Sequence, residues 1–357
     1  MLGACMPCHG AEVSARSAVL FDPLTGAVHF EKDAYTRRSM ASTTKIMTAL
    51  VALDLYDPKA WVTVDRAWTG IEGSSMYLKP GERLQIIDLL YGLMLMSGND
   101  AAVALASVLT GDPDDFTELM NRKAAELKLE NTAFANPNGL EEEGHYSTAY
   151  DMARLMAAAM QHPLFREIAG TASCEQAGRY MNNHNRLLGM YEGCVGGKTG
   201  YTRKAGRCLV SVAERQGRQL IAVTLDAPDD WNDHMAMYDA CFDGLCMTGL
   251  SAAGTIGSIP VADGQGNVCP LYAEEGFSMA LLPGEQEKIR LKLCGPRMVY
   301  GPIAAGEEYG YLTVSLGARE LFRTPIYYKT EIPAPVSAEK NGRFRQWLLD
   351  RITGSAS

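Results

Sequence analysis

The feature that most constrains this chain is a Ser-x-x-Lys pair, Ser42 and Lys45, at the start of an apolar helical segment. Residues three apart on a helix lie on the same face, so the Ser42 hydroxyl and the Lys45 amine can meet. The following residues, 46–53, are apolar on nearly every side, which is typical of a helix buried in a core. A lone Ser-x-x-Lys pattern is usually an ordinary cap beside a solvated lysine, so its meaning depends on the rest of the chain.

A second motif, Ser97-Gly98-Asn99, lies between two apolar helical runs. The first run stops at Met96, and the second covers residues 101–109 with Asn99 or Asp100 as the expected cap. Ser97 and Asn99 are therefore expected on a short loop between helices. Polar groups in such a place are either structural links or parts of a site.

A third motif, Lys198-Thr199-Gly200, lies in a glycine-rich segment, residues 193–202, that we predict to be an edge-like strand. Glycine in a strand marks a place where something approaches the backbone closely. We expect Gly197 and Gly200 to leave room for an extended substrate along this strand. Taken in order, the three motifs are the set found in penicillin-binding proteins and class A β-lactamases.

The chemistry of acyl transfer explains these residue types, since it needs a nucleophile, a base, an oxyanion hole and a grip on the substrate. Ser42 is the candidate nucleophile. Lys45 is its candidate base, because burial or a nearby cation can lower the pKa of a lysine. Ser97 can relay a proton to the leaving amine, and the Asn99 amide can orient Lys45 and hold the substrate backbone.

The Lys198 segment supplies the grip on the substrate. Lys198 offers a cation to a substrate carboxylate and helps to keep Lys45 neutral, and the Thr199 hydroxyl can bind the same carboxylate. The backbone N–H groups of Ser42 and Tyr201 are the candidate oxyanion donors. The predicted site residues are Ser42, Lys45, Ser97 and Asn99 as catalytic groups, and Lys198, Thr199, Gly200 and Tyr201 as substrate-binding groups.

With these motifs the chain resembles the serine-type D-alanyl-D-alanine carboxypeptidases, the low-molecular-mass penicillin-binding proteins, from about residue 14 to residue 330. The Ser-Gly-Asn form of the second motif points to this family rather than to class A β-lactamases, which carry Ser-Asp-Asn. Further family-like strings are ASTTKIMTA from Ala41, LMSGNDA from Leu95, NPNGL from Asn136, HYSTA from His145 and GKTGYT from Gly197.

The resemblance implies an α+β fold: a penicillin-binding/β-lactamase-like transpeptidase domain, with an antiparallel sheet and helices, followed by a small all-β domain. It implies removal of the terminal D-alanine from the peptidoglycan stem pentapeptide through an acyl-enzyme, covalent inhibition by β-lactams, and no cofactor. It also implies secretion to the outer face of the cytoplasmic membrane, where the enzyme serves cell-wall synthesis and cell shape.

One segment departs from the family pattern. Residues 229–233 contain no arginine, whereas some members place one in this region near the substrate carboxylate. Carboxylate recognition is then left to Lys198, Thr199 and Arg203, although Arg203 is more simply interpreted as a solvated surface residue.

The chain is long enough, at 357 residues, for two domains. Strand-like segments at 17–21, 207–213 and 219–225 combine with helices to about residue 255, and short strands between Gly/Pro turns follow. We therefore predict a leader remnant or flexible N-terminus at 1–13, a catalytic domain at 14–255, a β-rich domain at 256–333, and a linker with an amphipathic tail at 334–357.

The two ends of the chain carry weaker signals. Residues 343–352 mix apolar side chains with three arginines, which indicates either a helix in peripheral contact with a membrane or a flexible tail. Cys5-Met6-Pro7-Cys8-His9 matches a haem-attachment pattern, but it is a single copy and is better interpreted as leftover leader.

Charge and composition exclude other classes of function. A net charge of −9 without a dense Lys/Arg run argues against nucleic acid as a partner. No stretch reaches the ~18 consecutive apolar residues that a spanning helix needs. The spacing of His145, His162 and His184 is not that of a zinc site, so we predict no metal.

Two alternatives use the same motifs differently. A β-lactamase would share the acylation machinery but would need a positioned deacylating carboxylate, and Glu141, Glu142 and Glu143 lie in a loop of the right general region. The other alternative is a catalytically silent peptidoglycan-binding protein. Turnover of a D-Ala-D-Ala peptide separates this second alternative from the carboxypeptidase.

Overall fold

The structure, a computed structural model, describes residues 12–111, 113–262 and 267–333. Contacts divide the described chain into two units. The first runs to Cys246 and includes Ala280–Gly284, and the second consists of Met247–Met279 and the described residues from Glu285 onward. Most of the predicted N-terminal segment, 1–13, and all of the predicted tail, 334–357, lie outside the described residues.

The α-helices found in the described residues all lie in the first unit. In chain order the helices are α1 Lys45–Leu55, α2 Ile86–Leu95, α3 Asn99–Thr110, α4 Pro113–Glu126, α5 Ala149–Ala159, α6 Pro163–Gly170, α7 Leu187–Met190 and α8 Asp230–Phe242. The strands up to residue 225 are β1 Ser17–Phe21, β2 Val28–Lys32, β3 Trp61–Thr63, β4 Arg83–Gln85, β5 Ser173–Gln176, β6 Arg179–Asn182, β7 Cys194–Thr202, β8 Gly206–Arg215 and β9 Arg218–Leu225.

The main sheet of the first unit is antiparallel, with strand order β2-β1-β9-β8-β7. Strands β8 and β9 are apolar over most of their length because both faces of the sheet are covered. Val210 and Val223 pack in the cluster that contains α1, α2 and α5, whereas Leu209 and Leu220 pack in the cluster that contains α8. Strand β7 ends this strand order, which confirms the predicted edge position.

Helix α1 is the buried helix that the apolar run predicts. Every residue from Lys45 to Leu53 is buried, and the helix begins directly after a short 3-10 turn, Ala41–Thr44. Because an all-round apolar helix is stable only inside a core, α1 packs among α2, α3, α4, α5 and α6. The core thereby fixes the position of the Ser/Lys pair at the N-terminal end of α1.

The described residues of the second unit form strands, loops and one short 3-10 turn, Gln286–Lys288. The strands from Cys246 onward are β10 Cys246–Ser251, β11 Gly254–Pro260, β12 Val268–Ala273, β13 Phe277–Leu281, β14 Ile289–Cys294, β15 Glu308–Leu316 and β16 Arg319–Tyr328. Five of these strands form an antiparallel sheet of order β11-β12-β16-β15-β14. Side chains of this sheet, including Ile259, Leu271, Leu312 and Ile326, form a hydrophobic core. The α+β architecture followed by a β-rich part agrees with the predicted fold class. Within the described ranges, no helix combines the length and the apolar character needed to cross a membrane.

Candidate active site

The predicted contact between Ser42 and Lys45 is present. Ser42 lies in the 3-10 turn and is partly exposed, while Lys45, the first residue of α1, is fully buried. The Lys45 Nζ lies 2.9 Å from the Ser42 Oγ. The turn therefore presents the hydroxyl at the surface of a cavity and keeps the amine behind it, out of water.

Lys45 has two further partners, and both are carbonyl oxygens. Its Nζ donates to the Asn99 Oδ1 at 2.7 Å and to the Asn138 backbone oxygen at 2.5 Å. Burial and, secondarily, the charge of Lys198 hold the pKa of Lys45 well below its usual value, although Asp100 acts in the opposite direction. A buried lysine without a carboxylate in hydrogen-bond contact is one that gives up its proton readily.

This set of partners also determines how the amine is oriented when it loses its proton. A neutral lysine has two N–H donors and one lone pair, and the carbonyl oxygens of Asn99 and Asn138 can only accept. In the charged form Nζ also donates to the Ser42 Oγ. Once the amine is neutral, its two N–H groups can stay on the two carbonyl oxygens, and the lone pair is left for the Ser42 hydroxyl. The arrangement can remove a proton from Ser42 without reorganising its other contacts.

Asn99 differs from its predicted position in one respect. It is the first residue of α3, and Gly98 is the N-cap, so the expectation of Asn99 on the loop and of Asn99 or Asp100 as the cap was wrong. The reason is that Asn99 has other partners. Its backbone N–H donates to the Ser74 oxygen at 2.7 Å, and its side-chain amide donates to the Glu72 oxygen.

Asp100 extends the same attachment. Its carboxylate accepts hydrogen bonds from the Ser75 hydroxyl at 2.6 Å and from the backbone N–H groups of Met76 at 3.0 Å and Leu78 at 3.1 Å. Residues 72–78 are therefore tied to the start of α3. This attachment fixes the Asn99 amide, whose oxygen accepts one of the hydrogen bonds from Lys45.

A cavity of about 470 Å³ opens in front of Ser42. It brings together residues from all three motifs. Its lining contains Ser42, Ser74, Ser97, His184, Thr199, Gly200, Tyr201, Arg207, Asp230 and Trp231. Ser97 lies on the loop between α2 and α3 as predicted, with a left-handed backbone φ of 58°.

Lys198 lies behind the cavity wall. It is buried, its Nζ donates to the Thr199 backbone oxygen at 3.0 Å, and burial lowers its pKa to about 7. Its charge lowers the pKa of Lys45, which is one of the two functions that the sequence predicted for it. The Lys198 ammonium group, however, is hydrogen-bonded to the backbone of its own strand, at the Thr199 oxygen.

The expected purpose of Gly197 and Gly200 was wrong in part. A Cβ at Gly200 would lie 2.9 Å from the Ser42 backbone nitrogen and 3.0 Å from the Met40 oxygen, and one at Gly197 would lie 2.6 Å from the Asn185 side chain. These glycines make room for the protein itself rather than for a substrate. Gly200 allows the backbone of β7 to approach the Ser42 turn closely. Ser42 and Tyr201, whose N–H groups are the candidate oxyanion donors, therefore lie on two backbone segments that are next to each other.

Several cavity residues were missed by sequence reasoning. Arg207 lies on β8 directly opposite Tyr201, and its guanidinium donates to the Asp230 Oδ1 at 2.6 and 3.1 Å. Trp231 follows Asp230 at the start of α8, with the Arg207 guanidinium 5.5 Å from its ring centre. A short turn between two predicted strands was the signal that could have placed Arg207 beside Tyr201. Arg203, the other arginine near this motif, is exposed in that turn.

The acidic loop has a structural role in this geometry. Glu141 accepts hydrogen bonds from the hydroxyls of Ser39 and Thr202, and Glu142 accepts one from the Asn136 amide. Neither contact reaches Ser42 or Lys45. Within the residues that the structure describes, no group of His, Cys, Asp or Glu forms a candidate metal site.

Comparison with known proteins now identifies the architecture. The family described as "D-alanyl-D-alanine carboxypeptidase" matches residues 5–229, and the "Penicillin-binding protein 5, C-terminal domain" matches residues 248–334. The D-alanyl-D-alanine carboxypeptidase DacF of Bacillus subtilis is 33% identical over 333 residues, which cover 89% of this chain and 86% of that protein.

Solved structures agree over the same length. Penicillin-binding protein 5 of Haemophilus influenzae is 26% identical with a TM-score of 0.66, over 93% of this chain and 100% of that one. The carboxypeptidase DacD of Francisella tularensis shares the fold with a TM-score of 0.66 at 24% identity, over 94% and 97% of the two chains. The predicted fold class is confirmed, and the β-lactamase and silent-protein alternatives are not favoured. This chain belongs to the family of serine-type D-alanyl-D-alanine carboxypeptidases.

Proposed function

We propose that this enzyme removes the terminal D-alanine from the peptidoglycan stem pentapeptide, with Ser42 as the nucleophile and Lys45 as its base. The observation that supports these assignments is the position of Lys45. The amine is fully buried, lies 2.9 Å from the Ser42 Oγ, and has its other hydrogen bonds on two carbonyl oxygens. A lowered pKa at that position makes the lysine a base at neutral pH.

The proposed reaction has two stages. In the first, the Ser42 proton passes to Lys45 while Oγ attacks the carbonyl carbon of the penultimate D-alanine. The backbone N–H groups of Ser42 and Tyr201 stabilise the oxyanion. The C–N bond then breaks, Ser97 relays a proton to the departing nitrogen, and free D-alanine leaves. In the second stage, water hydrolyses the Ser42 ester and restores the enzyme.

Substrate contacts follow from the edge position of β7. A peptide in extended conformation can pair with the free edge of a sheet, as in other cases of strand addition. We assign Lys198, Thr199, Gly200 and Tyr201 to this contact. Gly200 supports the arrangement because it brings β7 against the Ser42 turn.

The cellular setting is also part of the proposal. Because peptidoglycan lies outside the cytoplasmic membrane, we place the enzyme at the outer face of that membrane, as a secreted protein that contributes to cell shape. The tail, residues 334–357, is proposed to make peripheral membrane contact. We also retain the division into a catalytic domain, 14–255, and a β-rich domain, 256–333.

Intact mass after incubation with benzylpenicillin tests the assignment of Ser42. We expect a long-lived adduct of one drug molecule on the wild-type protein and none on Ser42→Ala. Release of D-alanine from a D-Ala-D-Ala peptide should fall to the uncatalysed level in the same variant, because the nucleophile is absent.

Two outcomes would contradict the proposal. Retained turnover in Ser42→Ala would exclude Ser42 as the nucleophile. Drug destruction by the wild type without an accumulating adduct would indicate a β-lactamase, which deacylates rapidly. Ser39→Ala is a suitable control, since its hydroxyl contacts Glu141 on the neighbouring turn.

A further inference from the structure

The register of the β7–β8 hairpin separates the two faces of the candidate site. Successive side chains of a strand point to opposite faces, and directly opposed residues share a face. Lys198 is opposite Val210, which packs in the cluster containing α1. Thr199 is opposite Leu209, which packs in the cluster containing α8. The hydroxyl of Thr199 and the amine of Lys198 therefore lie on different sides of the sheet.

Arg207 lies on the Thr199 side. It is opposite Tyr201, two residues after Thr199 on the same face, and all three residues line the cavity. The carboxypeptidase reaction always involves a substrate with a free C-terminal carboxylate. On this side of the sheet, Arg207 and Thr199 both contribute to the lining of the cavity in front of Ser42.

The pair that Arg207 forms with Asp230 exposes its positive end. The Arg207 side chain is 43% exposed, whereas the Asp230 side chain is 3% exposed. The Asp230 carboxylate also accepts a hydrogen bond from the Trp231 N–H at 2.9 Å and lies at the N-terminus of α8, where negative charge is favoured. The helix thus helps to balance Asp230, and the guanidinium remains available as a cation.

The geometry of these contacts leaves a binding edge. Nε and Nη2 of Arg207 both donate to one oxygen, Asp230 Oδ1. The opposite edge of the guanidinium, formed by Nη1 and the second hydrogen of Nη2, is the edge that binds a carboxylate through two parallel hydrogen bonds. The Trp231 ring, 5.5 Å away, restricts the plane of the group.

Lys198 is less suited to this role. Its ammonium donates to the Thr199 backbone oxygen, and burial lowers its pKa to about 7, so much of it is neutral at physiological pH. An arginine stays protonated under all such conditions. Arg207 therefore offers a carboxylate the same positive charge throughout the physiological pH range.

We propose that Arg207, together with the Thr199 hydroxyl, binds the C-terminal carboxylate of the substrate and selects peptides that carry it. This inference rests on the proposed function, because it concerns the substrate of the same site. It moves carboxylate recognition from Lys198 and from residues 229–233 to strand β8.

A pair of substrates tests the proposal: Nα,Nε-diacetyl-L-Lys-D-Ala-D-Ala and the same peptide with a C-terminal amide. We expect Arg207→Gln to lower kcat/KM for the acid by about 10- to 100-fold, the usual loss for a hydrogen bond to a charged group. Turnover of the amide should change by less than about 2-fold. For the acid, kcat/KM of Arg207→Lys should lie between those of the wild type and Arg207→Gln, because lysine keeps the charge but lacks the planar guanidinium.

Two controls distinguish recognition from structure. Arg203→Gln removes an exposed arginine of the adjoining turn and should leave both substrates unaffected. Arg207→Gln/Asp230→Asn removes the carboxylate that the single variant leaves without its partner, and it should still show the selective loss on the acid.

The losses measured on the acid and on the amide decide whether Arg207 recognises the carboxylate. Equal losses on the acid and the amide, or no loss on either, would overturn the role of Arg207. A wild-type enzyme that releases neither D-alanine nor D-alaninamide would instead contradict the proposed function. The benzylpenicillin adduct, measured on every variant, shows whether Ser42 remains reactive.

Discussion

Lys45 and Arg218 are both long basic side chains that are buried completely in the first unit, with exposed fractions of 0% and 1%. Their partners differ in kind. Lys45 contacts a hydroxyl and two carbonyl oxygens, whereas the Arg218 guanidinium donates to the carboxylate of Asp22, itself fully buried after β1. His29 lies 3.7 Å from the same carboxylate.

The difference separates a group that must change its charge from one that must keep it. A buried ion pair holds both partners in their charged forms, so Arg218 and Asp22 can only serve the fold. A buried cation among neutral acceptors is held weakly in its charged form, so Lys45 can exchange its proton with Ser42. The same degree of burial thus produces a structural link in one place and a base in the other.

The largest effect should come from removing one member of the ion pair. Arg218→Met leaves the Asp22 carboxylate buried without its guanidinium partner, which costs about 3–5 kcal/mol of unfolding free energy. Urea denaturation of the two proteins measures this loss. The benzylpenicillin adduct should still form in the folded fraction, because Ser42 and Lys45 are untouched.

A second variant completes that test. Arg218→Met/Asp22→Asn removes the unpaired charge and should recover a large part of the lost stability. If Arg218→Met were as stable as the wild type, the pair would not be a structural link, and the contrast with Lys45 would fail.

A smaller effect is expected when the base is made to resemble the ion pair. Asn99→Asp places a carboxylate in contact with the Lys45 Nζ, now 2.7 Å from the Asn99 Oδ1. An adjacent opposite charge raises the pKa of a lysine by 1–3 units, so activity at neutral pH should fall by about 100-fold. The pH dependence of kcat/KM provides the measurement.

The pH profile also identifies the cause. A loss due to a raised pKa of Lys45 is recovered as the pH rises. A loss due to the broken hydrogen bond to the Glu72 oxygen would be the same at every pH. The second result would mean that the neutral partners of Lys45 do not set its basicity.

The smallest effect concerns acid stability. Burial alone would raise the pKa of Asp22, but His29 and Arg218 outweigh it and lower that pKa from 3.8 to about 2. The stabilisation is therefore complete above pH 3.8 and is lost as the pH falls toward 2, which amounts to about 2 kcal/mol.

The comparison with Asp22→Asn isolates this contribution. The wild type should lose about 2 kcal/mol more than the variant between pH 4 and pH 2 in urea denaturation. His234, whose pKa burial lowers to about 3, titrates in both proteins and cancels. Parallel stability curves would show that Asp22 is not held in its charged form by the pair.

Local patterns predicted the parts of the site that lie close together in the chain. The Ser42–Lys45 spacing and the apolar run after it specified both the contact and its burial, because a helix fixes the geometry of residues three apart. The position of Ser97 between two helices followed in the same way. The predicted N-cap of α3 was wrong because Asn99 forms hydrogen bonds with the backbone oxygens of Glu72 and Ser74. Helix-capping rules do not take account of such contacts with a distant segment.

The parts that depend on distant segments could not be predicted. Arg207 lies at the cavity because β8 pairs with β7, which places Arg207 opposite Tyr201. Its contact with Asp230, 23 residues later in the chain, could not be predicted from the sequence. Gly200 shows the same limit: a glycine-rich strand indicates a close approach, but only the fold shows that the approaching backbone is that of Ser42. Asn138, a turn residue in sequence, contributes a backbone oxygen that no side-chain motif records.

The strand order of the main sheet has a consequence for synthesis of the chain. Strand β1 pairs with β9, so Ser17 meets Leu225 roughly 200 residues later. At a ribosomal rate of 5–20 residues per second, β9 is synthesised about 10–40 s after β1. The long-range pairing makes completion of the sheet a late event in folding, and the Ser42 turn meets β7 in its final position only with that event. A chain interrupted after Thr202 but before Arg218 would contain all three motifs of the site and still lack β9, which joins β1 to the rest of the sheet.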